Sequence, residues 1–291
     1  PQPRPGVFAV RYDLQKRGIS MELIKGISKE TQGNCTLYHI TSFTDEIKEE
    51  LRRFLAVICY GEEDASSGEE AYSYKNTLKE FLCRCQEQGK IESSNRIKGF
   101  MGELLTHLLL RIEDTFQITS ACFNLEERSF KKGFDIIVFD NENHELWITE
   151  VKSGEKKKDG NASSSIKSLL NRANNDLVER LDENNRMLWD NAIHAAKNAM
   201  SSEKDEKKAV LKILRTHLNR AVKEEGSSSE HNVILCGNLF HTLSDKISLD
   251  DIQEKYDSIC EQDTFKNVLI IATQKNTYQS IYDFLKSEAQ S

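Results

Sequence analysis

The stretch from Gly133 to Gly154 constrains this chain most. Two apolar runs, Phe134 to Phe139 and Leu146 to Val151, flank a polar cluster from Asp140 to Glu145. The pattern predicts a β-hairpin with buried strands closing on an Asn-rich turn. Asp135, Glu150 and Lys152 interrupt the apolar pattern. In an antiparallel pair the start of one strand lies beside the end of the other, so these three converge at the hairpin's open end. Glu150 and Lys152 are two apart and share a face.

The spelling of the triplet does not single it out. With 47 acidic and 40 basic residues, acid-x-Lys recurs at Glu46–Lys48, Glu155–Lys157, Asp205–Lys207 and Glu206–Lys208. Those lie in polar segments whose plain reading is a solvated face. Glu150-Val151-Lys152 differs because it ends an apolar strand with Asp135 upstream. Burying such charges is costly without a compensating ion or ion pair. One reading is a structural ion pair at a strand end. The other is a divalent-metal site. Asp135 and Glu150 supply hard oxygen ligands suited to Mg²⁺ or Mn²⁺, the Val151 carbonyl is a third, and water and a substrate phosphate complete the octahedron. Lys152 then orients or deprotonates the attacking water and offsets transition-state charge, which amounts to phosphodiester hydrolysis.

Upstream lies the most periodic helix of the chain. Ile97, Met101, Leu104, Leu105, Leu108 and Ile112 form one wide apolar stripe, with Glu103 and His107 one turn apart at its edge. Glu103 either reaches the metal site, directly or through water, or is a glutamate at the helix boundary. His107 reads as a boundary histidine rather than a ligand. A strand over Phe116 to Phe123 leads to the hairpin. Helices are expected at 45–60, 74–88, 163–181, 184–200, 205–224, 248–260 and 278–289. Strands are expected at 36–40, 232–236 and 267–273. The class is α/β, a mixed central sheet flanked by helices. Residues 1–20 read as a leader or flexible arm, with Met21 a candidate start. Residues 21–90 read as an N-terminal segment available for partner contact, and 91–291 as a catalytic core with a helical insertion at about 160–226.

The helix with Glu103, followed by three strands carrying Gly133-Phe134-Asp135 and Glu150-Val151-Lys152, resembles the PD-(D/E)XK nuclease superfamily over roughly residues 97–155. Phe134 stands where that motif has proline; the carboxylate ligand is kept. The resemblance implies a restriction-endonuclease-like core and a Mg²⁺-dependent nuclease with Asp135, Glu150, Lys152 and Glu103 in the site. The overall layout is similar to the nuclease subunit of Hachiman anti-phage systems. That likeness implies DNA as substrate, little sequence preference, and a helicase partner that restrains the subunit until DNA is engaged.

Composition sets the remaining bounds. A net charge of −7 argues against binding nucleic acid through the overall field and fits DNA delivered by another protein. Local basic residues are Arg96, Lys98, Lys131, Lys132 and Lys156 to Lys158, for phosphate contact or for solubility. Nothing resembles a helix-turn-helix or zinc finger. The seven cysteines are scattered, consistent with reduced thiols and no structural zinc. No apolar run approaches the ~18 residues of a membrane span, and no secretory segment is evident, so the expected location is cytoplasmic.

Overall fold

The computed structural model describes residues 20–86, 94–120, 133–200 and 205–290. Among them eight strands form one sheet: β1 (Met21–Ile24), β2 (Ile27–Gln32), β3 (Cys35–Ile40), β4 (Gln117–Ile118), β5 (Ile136–Asp140), β6 (Glu145–Glu155), β7 (Asn232–Phe240) and β8 (Asn267–Lys275). Their spatial order is β1-β2-β3-β8-β7-β6-β5-β4. The central strands β3, β8, β7 and β6 run parallel, and both flanks are antiparallel. Short turns join β1 to β2, β2 to β3 and β5 to β6, whereas parallel neighbours need helical crossovers. All nine residues of β7 are buried, as a parallel strand covered on both faces requires.

The helices are α1 (Asp45–Tyr60), α2 (Glu62–Ala65), α3 (Tyr74–Cys85), α4 (Ser94–Glu113), α5 (Ala162–Asp182), α6 (Arg186–Ala199), α7 (Asp205–Val222), α8 (Leu249–Cys260) and α9 (Gln279–Gln290). Helices α5 to α8 cover one face, where Ile166, Leu170 and Leu177 meet Leu37, Ile148 and Leu235. Helices α1, α3, α4 and α9 cover the other, with Leu51, Phe81, Leu105 and Tyr282 around Ile27, Tyr38 and Ile40. The hairpin strands alternate between these layers. Ile137, Phe139, Leu146 and Ile148 belong to the α5 side. Ile136, Val138, Trp147 and Val151 pack with Leu110 of α4 on the opposite side. With a period of two, Glu150 and Lys152 fall on the α5 side.

The mixed sheet flanked by helices is as the sequence predicts, with differences in detail. β1 and β2 were not expected. β2, Ile-Ser-Lys-Glu-Thr-Gln, has one large apolar side chain, and pairing on both sides makes it a strand. The 21–90 segment thus adds three strands to the sheet that holds the hairpin. β6 and β7 run four residues past the ends expected at Val151 and Cys236, because their parallel pairing continues to Glu155 and Phe240. The polar 61–70 segment holds the short α2, and a 3-10 turn follows at Glu70–Tyr72. The strand expected over 116–123 is Gln117–Ile118, residues 121–123 lying outside the described ones, as do residues 87 and 88 of the helix expected over 74–88. Among the described residues no helix is long and apolar enough to cross a membrane.

Candidate active site

Strand register creates an open edge. β5 begins at Ile136, opposite Thr149, while β6 continues to Glu155. Beyond Thr149 the outer edge of β6 has no β5 partner, and a backbone N–H left there would be costly. Asp135, just before β5, fills the gap: its Oδ2 accepts from the Val151 N–H at 2.8 Å. In an extended strand the N–H and C=O of one residue point the same way. The Val151 carbonyl is therefore directed to the edge where Asp135 sits.

Glu150 is fully buried, and α5 reaches it from its own side of the sheet. Asn161 and Ser164 form a capping box that starts this helix, and Ile166, Leu170, Ala173 and Leu177 bury its apolar stripe. Asp176 and Arg180, one turn apart, project beside that stripe. Lys152 Nζ lies 2.6 Å from Glu150 Oε1 and 2.8 Å from Asp176 Oδ2. Arg180 Nη1 donates to Glu150 Oε2 at 3.0 Å and to the Gly133 carbonyl at 3.3 Å. Neither Asp176 nor Arg180 was identified from the sequence. Their one signal, an acid–Arg pair at helical spacing, is shared by ordinary surface pairs such as Asp190 with Arg186.

Glu103 arrives from the opposite face. A Cβ on Gly102 would lie 1.7 Å from Ser153 Oγ, so only glycine lets α4 lie this close to β6. Asn238 of β7 fastens the helix by donating to Gly102 O at 3.2 Å and Thr106 Oγ1 at 3.0 Å. Glu103 is half-buried beside the same edge, where it senses the charges of Asp135, Glu150, Lys152 and Arg180. The structure thus brings together all four residues singled out as catalytic.

Their electrostatics reflect crowding. Burial, and then the Asp135 and Glu150 charges, push Glu103 well above the ordinary carboxylate range. Burial raises Asp135 against the opposing Val151 N–H, Arg180 and Lys152. Burial followed by the Asp135 charge raises Glu150 to about 7, with Arg180 and Lys152 opposing. Burial disfavours the Lys152 ammonium, but Glu150 and Asp176 outweigh it and leave Lys152 raised. Four carboxylates (Glu103, Asp135, Glu150, Asp176) against two cations (Lys152, Arg180) give a formal charge of −2. Such a site either takes up protons or holds a cation. Among the described residues no three Asp, Glu, His or Cys side chains are grouped to cage a metal alone. Asp135, Glu150 and the Val151 carbonyl nevertheless fit a hard divalent ion of Mg²⁺ type, which is held by one or two carboxylates with water and phosphate as its other ligands.

The other predicted residues separate. His107 is fully buried, neither ring nitrogen has a hydrogen-bond partner among the described residues, and burial, then Arg111, holds it well below the usual imidazole range. Arg96 donates to the Arg84 carbonyl, and Lys98 pairs with Glu155 at 2.7 Å, so both serve packing. Lys157 and Lys158 are exposed beyond β6, and Lys156 Nζ donates to Gly160 O at 2.8 Å. Lys131 and Lys132 lie outside the described residues.

No curated protein and no solved structure matches the chain. A family model does, that of HamA, over residues 20–287. The match takes in every strand of the sheet and every residue of the site. The chain therefore belongs to the HamA family, the HamA proteins of Hachiman defence systems.

Proposed function

We propose that this protein is a metal-dependent nuclease that hydrolyses DNA phosphodiester bonds with little sequence preference, as the effector of a defence complex with a helicase. The observation that carries the reading is the convergence of Glu103, Asp135, Glu150 and Lys152 at the open edge of β6. Glu103 comes from α4 on one face of the sheet, and Asp176 and Arg180 join the cluster from α5 on the other. A structural strand-end ion pair needs one acid and one base. This cluster has more carboxylates than its own cations neutralise, which supports a cation-binding role.

Asp135, Glu150 and the Val151 carbonyl would hold the ion. A bound divalent cation lowers the pKa of a coordinated water and neutralises charge growing on the phosphoryl oxygens. Lys152, shared between Glu150 and Asp176, is a compact ammonium that orients the attacking water and faces the growing charge. Glu103 polarises a water from the α4 side. Cleavage with little sequence preference agrees with a sequence in which nothing resembles a helix-turn-helix or zinc finger, and a helicase that presents DNA agrees with the net charge of −7.

A second reading is a nuclease fold kept as a scaffold, and one observation favours it: Glu150 is already neutralised by Lys152 and Arg180. A cleavage panel separates the two. Labelled duplex DNA, single-stranded DNA, branched DNA and RNA are incubated with Mg²⁺ or Mn²⁺, with and without the co-purifying partner. Degradation of DNA by the parent and its loss in Glu150→Gln and Lys152→Ala are expected. Cleavage that persists in both variants, or that is confined to RNA, refutes the proposal.

A further inference from the structure

Arg180 is a cation at the site that the strand motif does not contain. Its guanidinium meets Glu150 and the Gly133 carbonyl through one nitrogen, Nη1. Its Nε and Nη2 have no partner among the described residues, and about a quarter of the side chain, 24%, is open to solvent. We propose that Arg180 grips the nucleic-acid backbone at this site, holding the phosphodiester through the guanidinium edge not used on Glu150. The proposal rests on the nuclease reading of the same site.

Geometry separates this role from simple neutralisation of Glu150. An arginine built only to pair with a carboxylate does best with two parallel N–H···O bonds, the fork geometry. Arg180 instead shares one nitrogen between a carboxylate and a carbonyl, which fixes the plane of the guanidinium and leaves its outer edge presented. Glu150 also has a nearer cation, Lys152 at 2.6 Å against 3.0 Å. Anchoring at the Gly133 carbonyl ties the arginine to the segment that carries Asp135, so the phosphate it holds lies at the edge where Asp135 and the Val151 carbonyl meet. Arginine suits the task because its planar donor array matches phosphate oxygens and stays charged. Lys152 is held between Glu150 and Asp176, so Arg180 is the site cation with donors to spare for a phosphate. Arg180 is in this sense a catalytic residue, one that touches the substrate.

The test is binding of a fluorescein-labelled 20-base-pair DNA duplex in EDTA, followed by anisotropy between about 50 and 200 mM salt, a range over which phosphate contacts dominate the salt response. Glu150→Gln is compared with Glu150→Gln/Arg180→Gln, so that an orphaned Glu150 charge is not the cause of any difference. The expected result is binding weakened about tenfold by loss of the arginine, equally for unrelated sequences, with the salt slope reduced by about one. Arg180→Lys in the same background keeps the slope and recovers part of the affinity; it carries the test if the glutamine variant does not fold, and full affinity with lysine then overturns the proposal. An unchanged slope and affinity overturn it, as does failure of the Glu150→Gln protein to bind the duplex at about 50 mM salt. Wild-type cleavage in Mg²⁺ or Mn²⁺ is measured separately. No cleavage with the slope lowered sinks the nuclease reading and keeps the arginine assignment. Cleavage with the slope unchanged does the reverse.

Discussion

The two ends of the β5–β6 hairpin carry the same kinds of residue and treat them in opposite ways. At the turn, Asp140 accepts from the Glu142 and Asn143 N–H groups at 2.9 and 3.2 Å and from the Asn143 side chain at 2.7 Å. Glu145 pairs with Lys266 at 2.7 Å. Each acid there has donors to hand and solvent nearby. At the open end, five residues from Asp140, Asp135 accepts one backbone N–H, and Glu150 is fully buried. One aspartate closes a turn and the other closes a gap in a ladder. Residue type does not distinguish them. Burial and the number of like charges do, and they turn the second end into a site.

Removing a charge at the open end should have the largest effect. Glu150→Ala leaves Lys152 without its nearer carboxylate and Arg180 without its only one among the described residues, inside a buried cluster. Breaking such an arrangement costs about 3–5 kcal/mol. Urea denaturation should show that loss together with loss of DNA cleavage. A cost below about 1 kcal/mol would mean the open end is solvated like the turn, and the contrast would fail.

Divalent metal should act on one end alone. At a hundredfold excess over its dissociation constant, Mg²⁺ or Mn²⁺ should stabilise the protein by about 2.7 kcal/mol. Asp135→Asn should abolish the shift in melting temperature, and Asp140→Asn should leave it intact. Equal shifts in the two variants would place the ion elsewhere.

What the sequence revealed follows the same division. The hairpin was legible because buried strands read as apolar runs and the turn as an Asn-rich break. Asp135, Glu150 and Lys152 were legible by their position against that background. The β1–β2 pair was not, because β2 owes its conformation to neighbours on both sides rather than to its side chains. Asp176 and Arg180 were not, because a functional pair one helical turn apart looks like any solvated pair until the helix is docked. Arg96 and Lys98 show the reverse error: basic residues near the motif, but tied to the Arg84 carbonyl and to Glu155. Glu103 was visible only as an edge residue of α4, since nothing local records that Gly102 allows that helix onto β6.

Behind the open end lies an aromatic stack that offers a milder test. Phe134, next to Asp135, packs edge-on against Trp189 at 5.0 Å, and Trp189 stacks with His217 at 4.9 Å and His231 at 5.2 Å. Burial, then His217 and Arg220, lowers His231 to about 3, and burial lowers His217 against the charge of Glu230. Both folded-state values lie below the ordinary 6.5, so the unfolded chain binds more protons as pH falls below 6.5. Stability is then full above 6.5 and is lost on acidification towards 3. For His231 alone the loss at pH 5 relative to pH 7 is about 2 kcal/mol. Urea midpoints at the two pH values measure it, and His231→Phe should flatten the dependence. The turn end has no buried histidine of this kind and should contribute little.

The smallest effect should come from the turn itself. Asp140→Ala removes an acceptor for two backbone N–H groups, but these sit at the surface and water replaces it, so the cost should be about 1 kcal/mol. Asp140→Asn keeps one oxygen and should cost less. Neither should change metal binding or cleavage, because the turn does not set the register. The rungs from Ile136↔Thr149 to Phe139↔Leu146 set it through side chains buried in two separate clusters. A slip of one residue would carry Glu150 and Lys152 to the α4 side, away from Asp176 and Arg180, and would move every buried strand position into the opposite cluster with them. The turn can therefore loosen while the open end stays aligned. If Asp140→Ala reduced cleavage at full stability, the two ends would be coupled through the strands, and the register would owe more to the turn than to the core.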